Sequence, residues 1–204
     1  MSNSARRMIW TALVCTLGAA YPLAPRISDA RAGTLTTTSS VGLGSCDVSA
    51  VSQPFARWWD YAKYELAPGG DFESSTWSLT GGATRAAGSE PYAVTGALGS
   101  YSLSLPAGAA ARSPATCVDA TYPSLRFFIA GTGSVAVNIV DGNSVIPAGV
   151  AVARGGWAPT PVMVTDWGVL AASSGGTAQV SVVFKGLSGA PRIDDVFVDP
   201  WSRG

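Results

Sequence analysis

The sequence predicts an all-β protein, a two-sheet antiparallel sandwich with one disulfide. Three observations point there. Short runs rich in β-branched and aromatic residues recur between turn signals, no stretch sustains a helical period, and a chain that opens with an export signal keeps two cysteines beyond it.

The export signal comes first. Arg6 and Arg7 precede the largely apolar run Met8 to Ala20, and Ala30-Arg31-Ala32 offers a small-residue cleavage site. The run is shorter than the roughly 20 residues a bilayer-spanning helix needs; an uncleaved anchor is the alternative. Cys15 reads as filling of the apolar run, and the context SARRMIW fits a twin-Arg signal poorly. Residues 1–32 are thus expected to be a signal peptide and the mature chain to be secreted. Residues 33–45, GTLTTTSSVGLGS, have little to bury and read as a flexible leader. Residues 46–204 are expected to form a single β-sandwich domain.

Beyond residue 32 the chain carries 9 basic and 12 acidic residues, and Lys63 and Lys185 are its only lysines. A charge-poor, weakly acidic chain lacks the basic patch that phosphate-backbone binding requires, so nucleic acid is excluded as a partner.

A short helix or turn is expected at Phe55 to Ala62, just after Pro54. Punctuation then becomes regular, at Pro68-Gly69-Gly70, Gly81-Gly82, Pro106-Ala107-Gly108, Gly131-Thr132-Gly133, Asp141-Gly142-Asn143, Gly155-Gly156, 173–176 and Ser188-Gly189. The intervening runs predict strands at 64–67, 101–105, 125–130, 134–140, 145–152, 161–165, 178–184 and 192–198. In Tyr101-Ser102-Leu103-Ser104-Leu105 the period of two puts the apolar side chains on one face and both serines on the other.

Cys46 and Cys117 are 71 residues apart. An even pair in an exported chain reads as a disulfide, and a loop of that length would stabilise the fold by about 4 kcal/mol in the chain-entropy model. Two free buried thiols are the alternative.

The chain has no histidine. That removes the Ser-His-Asp triad, the Cys-His pair and the usual zinc sites. It also has no nucleophile elbow and no phosphate loop. No catalytic residue is predicted, and an enzymatic reading would rest on a carboxylate pair, as in glycosidases.

The order of several motifs resembles the jelly-roll carbohydrate-binding modules and the wider galactose-binding-like sandwiches. Gly69-Gly70-Asp71-Phe72-Glu73 is followed by Trp77, and the last strand reads Ile193-Asp194-Asp195-Val196-Phe197-Val198-Asp199. The span 66–199 carries the resemblance. Gln53-Pro54-Phe55, Ser113-Pro114 before Cys117, and Asp199-Pro200 further resemble an exported actinobacterial family of unknown function. The resemblance implies a jelly-roll fold. It also implies a structural calcium ion where the segment after the first strand meets the last, with Asp71, Glu73, Asp194 and Asp195 as its ligands. The alternative is that Asp194 and Asp195 cap loops, pair with Arg126 or Arg192, or accept backbone amides.

Aromatic faces stack on sugar rings. Trp58, Trp59, Trp77, Trp157, Trp167 and Trp201 supply them. Trp77 and Trp157 are expected in packing, at most one of Trp58 and Trp59 is expected outside, and Trp167 is the best exposed candidate. Asn138, Asn143 and Gln179 could add amide contacts. Two function classes follow: a non-catalytic module for polysaccharide, or a structural or protein-interaction sandwich whose partner is a cell-envelope component. An aromatic cluster on a concave sheet face would favour the first and a flat apolar patch the second.

Overall fold

The computed structural model describes residues 50–119, 124–165 and 177–199. The predicted signal peptide, the leader, Cys46, Trp167 and Trp201 lie outside them. Among the described residues there are twelve strands, one turn of 3-10 helix at Ala56–Trp58 and no α-helix.

All strand pairs are antiparallel. In one layer β4 (Thr84–Ala87) pairs with β5 (Tyr101–Ser104), which pairs with β12 (Arg192–Asp199). β12 pairs in turn with the first half of β8 (Ser124–Asp141), which also holds β10 (Met163–Val164). Beyond β5, the far part of β12 takes β2 (Tyr64–Leu66), which carries β1 (Val51–Ser52). In the other layer β3 (Ser78–Thr80) pairs with β6 (Ala110–Arg112), then β11 (Thr177–Gly189), the second half of β8, and β9 (Ser144–Pro159). β7 (Thr116–Asp119) lies beside β6 on the same edge of β11.

The two layers are one curled sheet, because β8 belongs to both. The residues that bend it are Gly131 and Gly133, at φ 84° and 118°. A Cβ on Gly133 would sit 2.0 Å from the carbonyl oxygen of Ser188, so only glycine permits this approach. The sequence reading expected chain breaks at 131–133, 155–156 and 188–189. The strands run through the first two, where these glycines curve or bulge a continuous ladder, while β11 does end at Gly189, before the reversal into β12. Turns do form at 68–70, 81–82, 107–108 and 142–143.

The layers close on one core. Leu103, Leu125, Phe127, Ile193 and Val196 from the first meet Ala111, Val137, Val182 and Phe184 from the second. Phe184 sits at the centre, with Trp77 stacked on it at 5.6 Å and Phe127 edge-on at 4.9 Å. A second cluster covers the outer face of the first layer. Phe55 stacks on Phe128 at 5.5 Å beside Tyr64 and Phe197, with Trp58, Tyr92 and Trp157 at the rim. This cover explains why 124–130 is buried on both faces.

Ser113-Pro114 separates β6 from β7. Proline cannot donate to a ladder, and the Ser113 hydroxyl fills the gap by accepting from Val182 N at 2.9 Å. Ser113→Ala leaves that buried N–H without its acceptor and should cost about 1–3 kcal/mol, measured by urea unfolding; a change within error would refute this role.

The reading of 55–62 as a helix reduces to the single 3-10 turn, closed by Trp59 at φ 63°. The strand expected at 161–165 contracts to Met163–Val164. β1, β3, β4, β6 and β7 were not foreseen, being two to four residues long and held by partners distant in sequence.

Candidate functional site

Antiparallel register aligns three successive rows across the second layer. Leu79, Ala111, Phe184 and Val137 form the middle row and face the core. The rows on either side therefore face outward. One contains Ser78, Arg112, Val183 and Asn138; the other contains Thr80, Ala110, Lys185 and Ala136. A groove of about 470 Å³ opens on this face, lined also by Gly142, Asn143 and Val145 of the β8–β9 hairpin. Gly142, at φ 52°, supplies the backbone that the two-residue hairpin loop needs.

The groove sets polar side chains among apolar ones such as Val140, Val145 and Val183. Ser78 and Thr80 bring hydroxyls, Asn138 and Asn143 amides, and Arg112 and Lys185 cations. Among the described residues that line it there is no carboxylate and no aromatic ring. Asn138, predicted as a ligand contact, lies in this groove. Gln179 is exposed on the same face of β11 but beyond the groove, paired in register with Cys117.

The predicted carboxylates surround a different feature, the bulge in β12. Register slips between Asp194 and Phe197, and Asp195 takes φ 45°. Into this gap fits the segment after β2: Val196 N donates to Gly70 O, and Ala67 N donates to Val196 O. A Cβ on Gly70 would lie 2.7 Å from the Val196 carbonyl oxygen. The two motifs that carry the resemblance thus meet in space, and Phe72 buries its ring in the core from φ 55°.

Each carboxylate there is engaged by the protein. Asp194 accepts from the Ser89 hydroxyl at 2.7 Å, from Glu90 N at 2.8 Å and from Asp195 N at 3.0 Å. Glu90 accepts from Tyr92 N and Val94 N, so it folds the 89–94 segment around its own carboxylate. Glu73 Oε1 accepts from Ser100 N and Tyr101 N at 2.6 and 2.9 Å. Asp71 accepts from Glu73 N at 3.2 Å. Arg126 and Arg192 pair elsewhere, Arg126 with Asp60 and Arg192 with the carbonyls of 86–88.

Burial and the charge of Glu90 push Asp194 up to about 6, against hydrogen bonds that favour its ionised form. Burial, then the neighbouring Asp194 and Glu90 and a hydrogen bond to Glu90, raise Asp195 further, to about 8. Both shifts favour the protonated carboxyl. Among the described residues no group of three or more His, Cys, Asp or Glu side chains is placed to hold a metal ion. As arranged, the corner is a hydrogen-bonded carboxyl cluster. Ser89 and Glu90 are its members that sequence reasoning missed.

The tryptophans divide by burial. Trp77 is in the core and donates from Nε1 to Pro68 O at 3.0 Å; Trp157 and Trp58 pack at the rim of the second cluster. Trp59 is 84% exposed, and Tyr61 nearby is 59% exposed.

No protein-family model matches the chain, and no curated protein matches it. Solved structures do. The C-terminal CBM6 of LamC, a marine laminarinase from Zobellia galactanivorans, matches at TM-score 0.42 and 15% identity, over 61% of this chain and 93% of that module. TmCBM61 in complex with β-1,4-galactotriose matches at TM-score 0.42 and 17% identity, over 65% of this chain and 96% of that one. The enzymatically active domain of tailspike protein 4 from bacteriophage CBA120 matches at TM-score 0.39 and 19% identity over 65% of this chain; the match spans only 20% of the tailspike chain.

Proposed function

We propose that the mature chain is a secreted, non-catalytic module that binds polysaccharide in the groove on the outward face of the second layer. The observation that carries this reading is the groove itself. It is a concavity on the sheet, with the Asn138 amide and the Ser78 and Thr80 hydroxyls placed by register across the strands. Sugar hydroxyls donate and accept hydrogen bonds, and an amide side chain offers both roles from one position. Such contacts without a deep pocket fit millimolar to micromolar affinity, about −4 to −8 kcal/mol. Catalysis forms no part of the reading.

A glycan array on the mature protein tests it, followed by titration calorimetry on the best ligand. Asn138→Ala should weaken binding by roughly two- to tenfold, the loss of one neutral hydrogen bond, while the melting temperature stays put. Undiminished binding by that variant would move the site elsewhere, with the exposed Trp59 and Tyr61 the next place to look.

One observation favours the protein-interaction reading. β9 pairs only with β8 among the described residues, and its Val145, Val150 and Val152 are more than half exposed, as is Val164 of β10. An array with no bound glycan would replace the carbohydrate reading with this one.

A further inference from the structure

We infer that the groove selects an acidic polysaccharide, one whose sugars carry carboxylate or sulfate groups. The inference rests on the carbohydrate reading above and narrows it.

Of the eight described cations four are already committed, and of the other four, Lys63, Arg112, Arg154 and Lys185, only Arg112 and Lys185 line this groove. Arg126 pairs with Asp60, Arg85 donates to the carbonyls of Phe72 and Glu73 and stacks over Tyr101, Arg192 donates to three carbonyls, and Arg57 lies over Trp58 and Tyr92. Arg112 and Lys185 have no hydrogen-bond, ion-pair or ring partner among the described residues, and both are exposed in one groove. Their spacing follows from register. Arg112 lies opposite Val183, and Lys185 is two residues along the same strand, so the two cations are diagonal neighbours on one face. Diagonal positions on adjacent strands are about 7–8 Å apart.

Two like charges on neighbouring strand positions repel, and no described lining residue carries a negative charge. The chain has 13 acidic residues for its 13 basic ones, yet none of the described acidic ones lines this groove. A bound anion removes the repulsion. Arg112 presents a planar fork suited to a carboxylate or sulfate, Lys185 a point charge beside it, and Asn138, in the same row as Arg112, an amide for a neighbouring hydroxyl. No described lining residue carries an aromatic ring, so the groups these residues offer a ligand are charges and hydrogen-bond partners.

The test compares three polymers on the mature protein by titration calorimetry: polygalacturonate, dextran sulfate and neutral dextran. Polyanion binding should exceed dextran binding by tenfold or more. Arg112→Gln and Lys185→Gln should each lose roughly tenfold, as expected when a hydrogen bond to a charged group is removed. Arg154→Gln, an exposed cation outside the groove, should change nothing. Raising salt from about 0.01 M to about 1 M should weaken the interaction strongly. Preference between the two polyanions tells carboxylate from sulfate, and either supports the inference. Dextran bound as tightly as the polyanions, and weakened by Asn138→Ala, would overturn acidic selectivity while leaving the carbohydrate reading intact. Polyanion binding that ignores both Gln variants would also overturn it. No binding to any glycan would overturn both.

Discussion

Replacing Arg126 with leucine should cost about 3–5 kcal/mol at neutral pH, the range for breaking a buried ion pair from one side. The guanidinium is 2.8 Å from Asp60, and the two side chains are only 8% and 14% exposed. It also donates to Thr160 O at 2.8 Å and lies 4.3 Å from the centre of the Phe55 ring. One side chain on β8 thereby ties down both the 53–62 segment and the connection between β9 and β10. Burial works against the charge on Asp60, but hydrogen bonds from Tyr64 and Arg126 outweigh it and hold the carboxyl below its ordinary value. That contribution is present above the unfolded pKa of 3.8 and is lost as pH falls through the lower folded value. In the leucine variant Asp60 is a partly buried charge with no cation, so acid should relieve the defect. Urea unfolding at pH 7 and near pH 4 should show the penalty shrinking in acid, and Asp60→Asn in the same background should recover part of it. A penalty below about 1 kcal/mol would make the pair a surface-grade ion pair.

Sequence periodicity revealed the long strands because their alternation is local. Leu103 and Leu105 face the core as their spacing required. The same pattern put Ser102 and Ser104 on the opposite face, yet Ser102 is fully buried, because Arg192, 90 residues away, reaches over to it. Glycine misled in two places, 131–133 and 155–156, for one reason. Its freedom at positive φ serves a reversal at Gly142 and a bend inside a strand at Gly133, and only the partner strand distinguishes the two.

The candidate site was legible in part for the same reason. Asn138 could be marked as a polar residue within an apolar alternation. Its neighbours Arg112, Ser78 and Thr80 come from strands too short to show any pattern. Their arrangement is a property of register, which no local window contains. Trp59 was left undecided against Trp58, since the 3-10 turn and its left-handed closing residue decide which ring turns outward.

The metal-free protein should be more stable near pH 5 than near pH 8.5, the reverse of what ion-paired carboxylates produce. Asp194 and Asp195 both have folded-state pKa values raised above 3.8, to about 6 and about 8. A raised value means that the folded state holds the proton more tightly than the unfolded one. Their stabilisation is therefore complete below pH 4 and is lost as pH rises through 6 towards 8. Each tenfold gain in proton affinity corresponds to about 1.4 kcal/mol, so the effect should be visible in a melting scan. Asp60 pulls the other way in acid, which leaves a stability maximum between about pH 4 and pH 6. Asp195→Asn isolates the cause. Asparagine keeps the shape, tolerates the positive φ of 45° and can donate to Glu90 as a protonated carboxyl does, but it cannot ionise. The variant should melt higher than the parent at pH 8.5 and should flatten the slope between pH 5 and 8.5. Melting scans in EDTA and in excess calcium complete the test. Identical curves support a protonated carboxyl cluster. A calcium-dependent rise at pH 8 that Asp195→Asn abolishes would show that the carboxylates are cation ligands, and the protonated-carboxyl account would fall.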